Sequence, residues 1–182
     1  MAFPKLHRAL RYAVKHHKDT DRDGEHALPY ACHPVEVLVL VRQVGGVVDE
    51  DVLCAAVLHD LVEDTKVKPS DIEERFGARV RSLVAEVTRR PPSPAETRGL
   101  DPDAIWEMRN RELIAEIGRM SREARIIKLA DRLSNIRDAY RTRSGANLIR
   151  YVRQTHEILA AIPRETCPEL WDQISDAVRE TA

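Results

Sequence analysis

The sequence predicts a single all-α domain, and three observations predict it. Aromatic residues make up only 4% of the chain, so the core has to be built from Leu, Val, Ile and Ala, a composition that favours helices. Apolar residues recur at helical spacing, and no stretch alternates with the period of two that a half-buried strand requires. Caps and breakers bracket the periodic runs as helix starts and stops do.

The first helix is expected from about Pro4 to Lys18, with Leu6, Leu10, Ala13 and Val14 on one face. The polar stretch from Asp19 to Pro29 reads as a loop. His33 and Pro34 open a second helix, with Pro34 as its first residue, and Gly45-Gly46 ends it. A third helix starts near Asp49, and its run from Val52 to Leu58 is apolar on every side, the mark of a central, buried helix. Ser70 with Glu73 gives a capping-box signal for a short helix that Gly77 stops, and the next covers roughly Ala78 to Arg90. Pro91, Pro92 and Pro94 break the chain into a loop reaching about Leu100. Asp101-Pro102 restarts it with a cap and a first-turn proline. Ser121 caps a helix carrying Ile126, Ile127, Leu129, Ala130, Leu133 and Ile136, and helices near Asn147–Ile162 and Pro168–Thr181 close the chain. The apolar faces on either side of the proline-rich loop are too incomplete to fold separately, so residues 1–182 are read as one domain.

A length of 182 residues is enough to bury a core without disulfides. Cys32, Cys54 and Cys167 are odd in number and lack metal-like spacing. With no signal peptide and no long apolar run, they read as reduced thiols of a cytoplasmic protein. A net charge of −1 argues against a broad nucleic-acid or membrane surface. An anionic ligand would then need a local basic cluster or a metal. Nothing in the sequence fixes an oligomeric state.

The chemistry is concentrated in three places. His59-Asp60 and Glu63-Asp64 follow the most apolar run in the protein. On a continuous helix His59 and Glu63, and Asp60 and Asp64, are four apart and share one surface. Burying an imidazole with several carboxylates is unfavourable unless a cation or extensive hydrogen bonding compensates, although a helix end emerging into solvent would carry the same residues freely. Asp131 and Asn135 share a face, with Lys128 one turn earlier, among apolar neighbours; a solvated polar stripe would look alike. His33, at a helix start, is the third. The remaining histidines, His7, His16, His17, His26 and His156, lack obvious partners and are assigned to the surface. Together His33, His59, Asp60 and Asp131 offer two nitrogen and two oxygen donors, a mixed set suited to a catalytic divalent metal with positions open to water or substrate. Such a metal acidifies water and polarises a phosphoryl oxygen.

His33-Pro34, then His59-Asp60-Leu61-Val62-Glu63-Asp64-Thr65, then Lys128-Leu129-Ala130-Asp131-Arg132-Leu133-Ser134-Asn135 resembles the HD-type hydrolase domain of the RelA/SpoT family. In size the chain is nearest the stand-alone small alarmone hydrolases, a group that includes the metazoan SpoT homologue. Leu28–Pro34 is similar to the family's PYxxHP segment, and Phe76–Val80 with Val84–Thr88 to its FGxxV and LVxxVT stretches. The likeness runs from about His7 to Ile162. It implies an HD-type helical fold and a Mn²⁺ ion held by His33, His59, Asp60 and Asp131. It implies hydrolysis of the 3′-pyrophosphate of guanosine tetra- or pentaphosphate to GDP or GTP and pyrophosphate. Glu63 and Asp64 match the pair near the attacking water. Arg22 matches the residue stacking on the base, Asn135 a nucleotide contact and Tyr151 a ribose or phosphate contact, while Arg109 and Arg111 would reach a distal phosphate.

The chain departs from the family in three places. Arg22 is followed by Asp23 rather than a second basic residue, in a loop made acidic by Asp19, Asp21, Asp23 and Glu25. Ser134 stands where a His is common. The Pro91–Pro94 loop is this sequence's own. The acidic loop motivates a rival substrate, an adenosine alarmone or a phosphate monoester such as NADPH. A nucleotide sensor without turnover and a purely structural helical protein are the alternatives from other classes.

Overall fold

The computed structural model describes residues 3–18, 20–22 and 28–179. Of the acidic loop residues, Asp19, Asp23 and Glu25 lie outside these, as does His26. Among the described residues the regular structure is helical; strand-like pairing is limited to one antiparallel bridge, Asp21 with Pro29.

Helix α1 spans Pro4–His16. Its buried residues are Ala9 and Ala13, whereas Val14 is exposed, so the apolar face is narrower than expected. Helix α2, Cys32–Val39, begins one residue before His33 and places Pro34 in its first turn rather than at its first position. It continues into a π-helical turn, Leu40–Val44, before Gly45. Helix α3, Glu50–Leu58, is capped by the Asp49 carboxylate, which accepts from the amides of Asp51 and Val52. Val52 through Leu58 are all buried. A short α4, Leu61–Asp64, follows after a turn.

Helix α5 covers Pro69–Phe76 and α6 covers Ala78–Val87. The cap of α5 is not the Ser70/Glu73 box; the Asp71 side chain accepts from the Lys68 amide at 2.9 Å. Pro69 takes the first helical position, which moves the start two residues upstream. Gly77 separates the two helices at φ +94°, a conformation that L side chains rarely adopt.

Helix α7, Pro102–Ile117, is capped by Asp101, and α8, Arg122–Thr142, by Ser121. Helix α9 is Gly145–Ala161 and α10 is Pro168–Arg179. Helix α8 is a central strut: Ile126 through Ser134 is buried without interruption, and it packs against α2, α3, α6, α9 and α10. The all-round apolar α3 lies against α1, α2, α6 and α8. Their meeting point is where the turn after α3, the start of α2 and the middle of α8 converge, and those segments carry His59-Asp60, His33 and Asp131. No helix among the described residues is long and apolar enough to cross a membrane.

Candidate metal centre and active site

His33 and His59 are buried, each no more than 3% exposed, and the Nε2 atom of each has no hydrogen-bond partner. Their Nδ1 atoms are fixed. His59 Nδ1 lies 2.8 Å from the Ala56 carbonyl, which can only accept, so Nδ1 carries the proton. His33 Nδ1 lies 2.9 Å from Ser134 Oγ, and the Ser134 hydroxyl donates to Glu36 Oε2 at 2.8 Å. The serine oxygen therefore accepts from His33 Nδ1–H. In both rings Nε2 is the nitrogen left facing inward, the one through which the ring would bind a metal on giving up any proton held there.

Two carboxylates face those nitrogens. Asp60 Oδ2 is 3.3 Å from His33 Nε2 and Asp60 Oδ1 is 3.0 Å from His59 Nε2. Asp131 Oδ1 is 3.4 and 3.7 Å from the same two nitrogens. His33, His59 and Asp60 form a tight group with donor atoms within 4.8 Å of one another, and Asp131 closes it from α8. Asp131 is held by Lys128 Nζ at 3.0 Å on one oxygen and by the Asn135 amide on the other. Burial works against charge on His59, yet Asp60 and Asp131 push it up to about 10. Burial opposes ionisation of Asp60 and Asp131 in turn, but His59 and His33, with Lys128 for Asp131, hold both far below the ordinary carboxylate range. Two unpartnered imidazole nitrogens facing two ionised carboxylates in a buried site are the donor set of a divalent cation.

The expected continuous helix through His59 and Asp64 is broken. Helix α3 ends at Leu58, and Asp60 has φ −92° and ψ −9°, in the bridge region where active-site residues often sit. The Asp60 carbonyl then accepts from the amides of both Glu63 and Asp64. The break sends the two acids apart. Asp64 turns to Tyr30, whose hydroxyl lies 2.8 Å from Asp64 Oδ2 and 2.7 Å from Asp60 Oδ2. Glu63 turns to the other side, where its Oε2 accepts from the Arg89 amide at 3.1 Å. Burial raises both acids above their ordinary values, and the charge of Asp60 adds to the shift.

Two cavities flank this centre. One, of about 210 Å³, is lined by Asp21, Arg22, Tyr30, Asn135, Asp138 and Arg143, among others. Arg22 is paired there with Asp138 at 2.5 Å and donates to Asn135 Oδ1 at 3.2 Å. The other, of about 390 Å³, is lined by residues that include Arg89, Trp106, Arg109, Arg143, Tyr151 and Gln154. Arg143 belongs to both.

The model of the HD domain family matches residues 9–164. The chain belongs to the HD domain family. The MESH1 guanosine-3′,5′-bis(diphosphate) 3′-pyrophosphohydrolase of Xenopus tropicalis is 37% identical over 134 residues, covering 73% of this chain and 68% of that protein. The Homo sapiens protein of the same name is 35% identical over 138 residues, 75% and 70% of the two chains. A solved structure described as a metazoan ortholog of SpoT that hydrolyzes ppGpp and plays a role in starvation responses superposes with a TM-score of 0.84. It is 30% identical and covers 98% of this chain and 96% of that one.

In this HD domain the four residues expected to hold metal converge, and Glu63 and Asp64, next to each other on α4, take different partners, Arg89 and Tyr30. Arg22 and Asn135 meet in one cavity, tied to each other and to Asp138 and Asp131. Arg109 and Tyr151 meet in the other. Arg111 is exposed; two residues along α7 it sits about 200° around the helix from Arg109. Sequence reasoning missed four residues. His17, assigned to the surface, is buried and stacks on Tyr30 with ring centroids 4.7 Å apart. Tyr30 bridges Asp60 and Asp64. Arg89 and Arg143 line the basic cavity. The PYxxHP motif contains Tyr30 and was the available signal for it; nothing local in the sequence marks the other three.

Proposed function

We propose that this HD domain is a Mn²⁺-dependent hydrolase that removes the 3′-pyrophosphate from guanosine tetra- or pentaphosphate, yielding GDP or GTP and pyrophosphate. The observation that carries the reading is the pair of buried, unpartnered Nε2 atoms of His33 and His59 facing Asp60 and Asp131, beside two further carboxylates that the cation site does not need. The names of the relatives support the substrate.

His33, His59, Asp60 and Asp131 would hold the ion. When bound it neutralises charge on the phosphate under attack and acidifies water. Glu63 accepts the proton of the attacking water; its value, raised by burial, brings it closer to the operating pH than an exposed glutamate would be. The water oxygen bonds to phosphorus, the bond from phosphorus to the ribose 3′-oxygen breaks, and the departing oxygen takes up a proton. Asp64, anchored with Asp60 through Tyr30, positions the water and the ribose. Arg22, Asn135 and Tyr151 contact the nucleotide, and Arg109 serves a distal phosphate, a role that Arg111, facing away from that cavity, does not share. The whole chain, residues 1–182, acts as one catalytic unit. Its three unpaired cysteines support a cytoplasmic setting.

The test is to incubate the purified protein and Mn²⁺ with guanosine tetraphosphate, its adenosine counterpart and NADPH, then resolve the products. Release of pyrophosphate from the guanosine compound supports the proposal. Turnover confined to the adenosine compound or to NADPH would move the same chemistry to a different substrate. Saturable binding without any product would make the protein a sensor.

A further inference from the structure

His17 follows α1 as a buried residue, 1% exposed, and neither of its ring nitrogens has a hydrogen-bond partner. Among the described residues no carboxylate lies within ion-pair distance of it, unlike His33 and His59. Burial lowers its pKa against the opposing pull of Asp60, so the ring is neutral. An imidazole buried with two unpaired polar atoms is a net cost to stability, so packing alone does not explain it. What the ring does touch is Tyr30, with centroids 4.7 Å apart and 34° between the planes. Tyr30 in turn meets the metal-facing imidazole of His33 edge-on, with centroids 5.7 Å apart.

The main chain ties the same two residues together. The Thr20 amide donates to the His17 carbonyl at 3.1 Å, and the Tyr30 amide donates to the Thr20 carbonyl at 2.9 Å. With its backbone held, Tyr30 keeps only the rotation of its side chain. That ring is half-buried and lines the cavity of about 210 Å³, so it has open space to swing into. Its hydroxyl has one proton and two acceptors, Asp60 Oδ2 at 2.7 Å and Asp64 Oδ2 at 2.8 Å. Both distances hold in one ring orientation, and a displacement of about an ångström takes the hydroxyl out of bonding range of both. Aromatic rings at this separation attract one another in tilted arrangements, and His17 is the ring placed to hold that orientation.

We propose that His17 is a positioning residue, a flat plate that holds Tyr30 where its hydroxyl joins Asp60 to Asp64. It touches neither ion nor substrate and acts through Tyr30 alone. By fixing a metal ligand and its acidic neighbour together, it raises both metal retention and turnover. This rests on the hydrolase reading and deepens it.

The experiment is a double-mutant cycle of His17→Ala and Tyr30→Phe, with His17→Phe beside it. His17→Leu, which fills the space without a flat face, replaces the alanine variant if that one does not fold. The readouts are Mn²⁺ affinity by chelator competition, kcat and KM for guanosine tetraphosphate, and the midpoint of denaturant unfolding. His17→Ala is expected to weaken Mn²⁺ binding and lower kcat, each about tenfold or more, with a smaller change in KM. In the Tyr30→Phe background the same substitution should change neither, because the plate has no hydroxyl left to aim. His17→Phe keeps the ring, so it should retain affinity and kcat, and it should raise the unfolding midpoint by removing two unpaired polar atoms. A purely structural His17 would lower the midpoint in His17→Ala and leave affinity and kcat unchanged, and that result overturns the proposal. So do losses that add in the double variant, or a folded His17→Phe that behaves like His17→Ala. If wild type binds Mn²⁺ but does not hydrolyse the alarmone, the hydrolase reading fails, and the cycle in Mn²⁺ affinity still decides the role of His17. If wild type does not bind Mn²⁺, both fail.

Discussion

Replacing Ser134 with alanine tests whether the metal centre is tuned from behind its ligands. The Ser134 oxygen accepts the His33 Nδ1 proton at 2.9 Å and donates its own to Glu36 at 2.8 Å. Removing that oxygen leaves a buried N–H donor unsatisfied, at a cost of about 1–3 kcal/mol. The imidazole has an escape that makes matters worse for metal binding. It can shift its proton to Nε2, where Asp60 at 3.3 Å and Asp131 at 3.4 Å accept it, and that tautomer has no lone pair to offer the site. The energetic cost corresponds to roughly 5- to 150-fold in affinity, which brackets the 10- to 100-fold typical of losing a partner behind a metal ligand. His59 is untouched, since its Nδ1 partner is a main-chain carbonyl, so binding is weakened rather than abolished. The assay is competition for Mn²⁺ against a fluorescent chelator, with Ser134→Thr expected to restore affinity because it keeps the hydroxyl. Wild-type affinity in a folded Ser134→Ala protein would refute the tautomer argument.

Other consequences are open to direct measurement. Glu63→Gln is expected to lower turnover about a hundredfold or more while the protein retains its metal; unchanged kcat would remove Glu63 from the chemistry. Because Glu63 acts ionised, activity should fall as pH drops through its value, and burial sets that acidic limb above the 4.5 of an ordinary glutamate. The limb should vanish from the residual activity of Glu63→Gln. In the core, Ile127 is fully buried on α8, so Ile127→Ala should lose about 2–5 kcal/mol in denaturant unfolding.

The fold was legible where its causes are local. Asp49, Asp101 and Ser121 cap the helices they precede, because a short acceptor side chain bonds amides only two or three residues away. The burial of Val52 to Leu58 followed from their being apolar on every side. The convergence of His33, His59, Asp60 and Asp131 was readable because their neighbours are apolar, and apolar segments carry their polar members inward. What was not legible depends on contacts between distant segments. The break at His59-Asp60, which sends Glu63 towards Arg89 and Asp64 towards Tyr30, has no breaker residue to announce it. His17 sits at the end of α1 and looks solvated until the loop carrying Tyr30 folds over it. Arg89 reads as a helix end in water, yet it is half-buried and lines a cavity with residues of α7 and α9, which follow it in the chain. Ser134 looked like a neutral departure from the family pattern, yet it supports His33.

The account turns on a cation lying among four side chains drawn from α2, the turn after α3, and α8. Crystals grown with Mn²⁺ and measured at its absorption edge would locate that ion directly. The account predicts one anomalous peak per chain within ligand distance of His33 Nε2, His59 Nε2, Asp60 and Asp131, and its loss in Asp131→Ala. A peak away from these atoms, or none with Mn²⁺ present in excess, would contradict it.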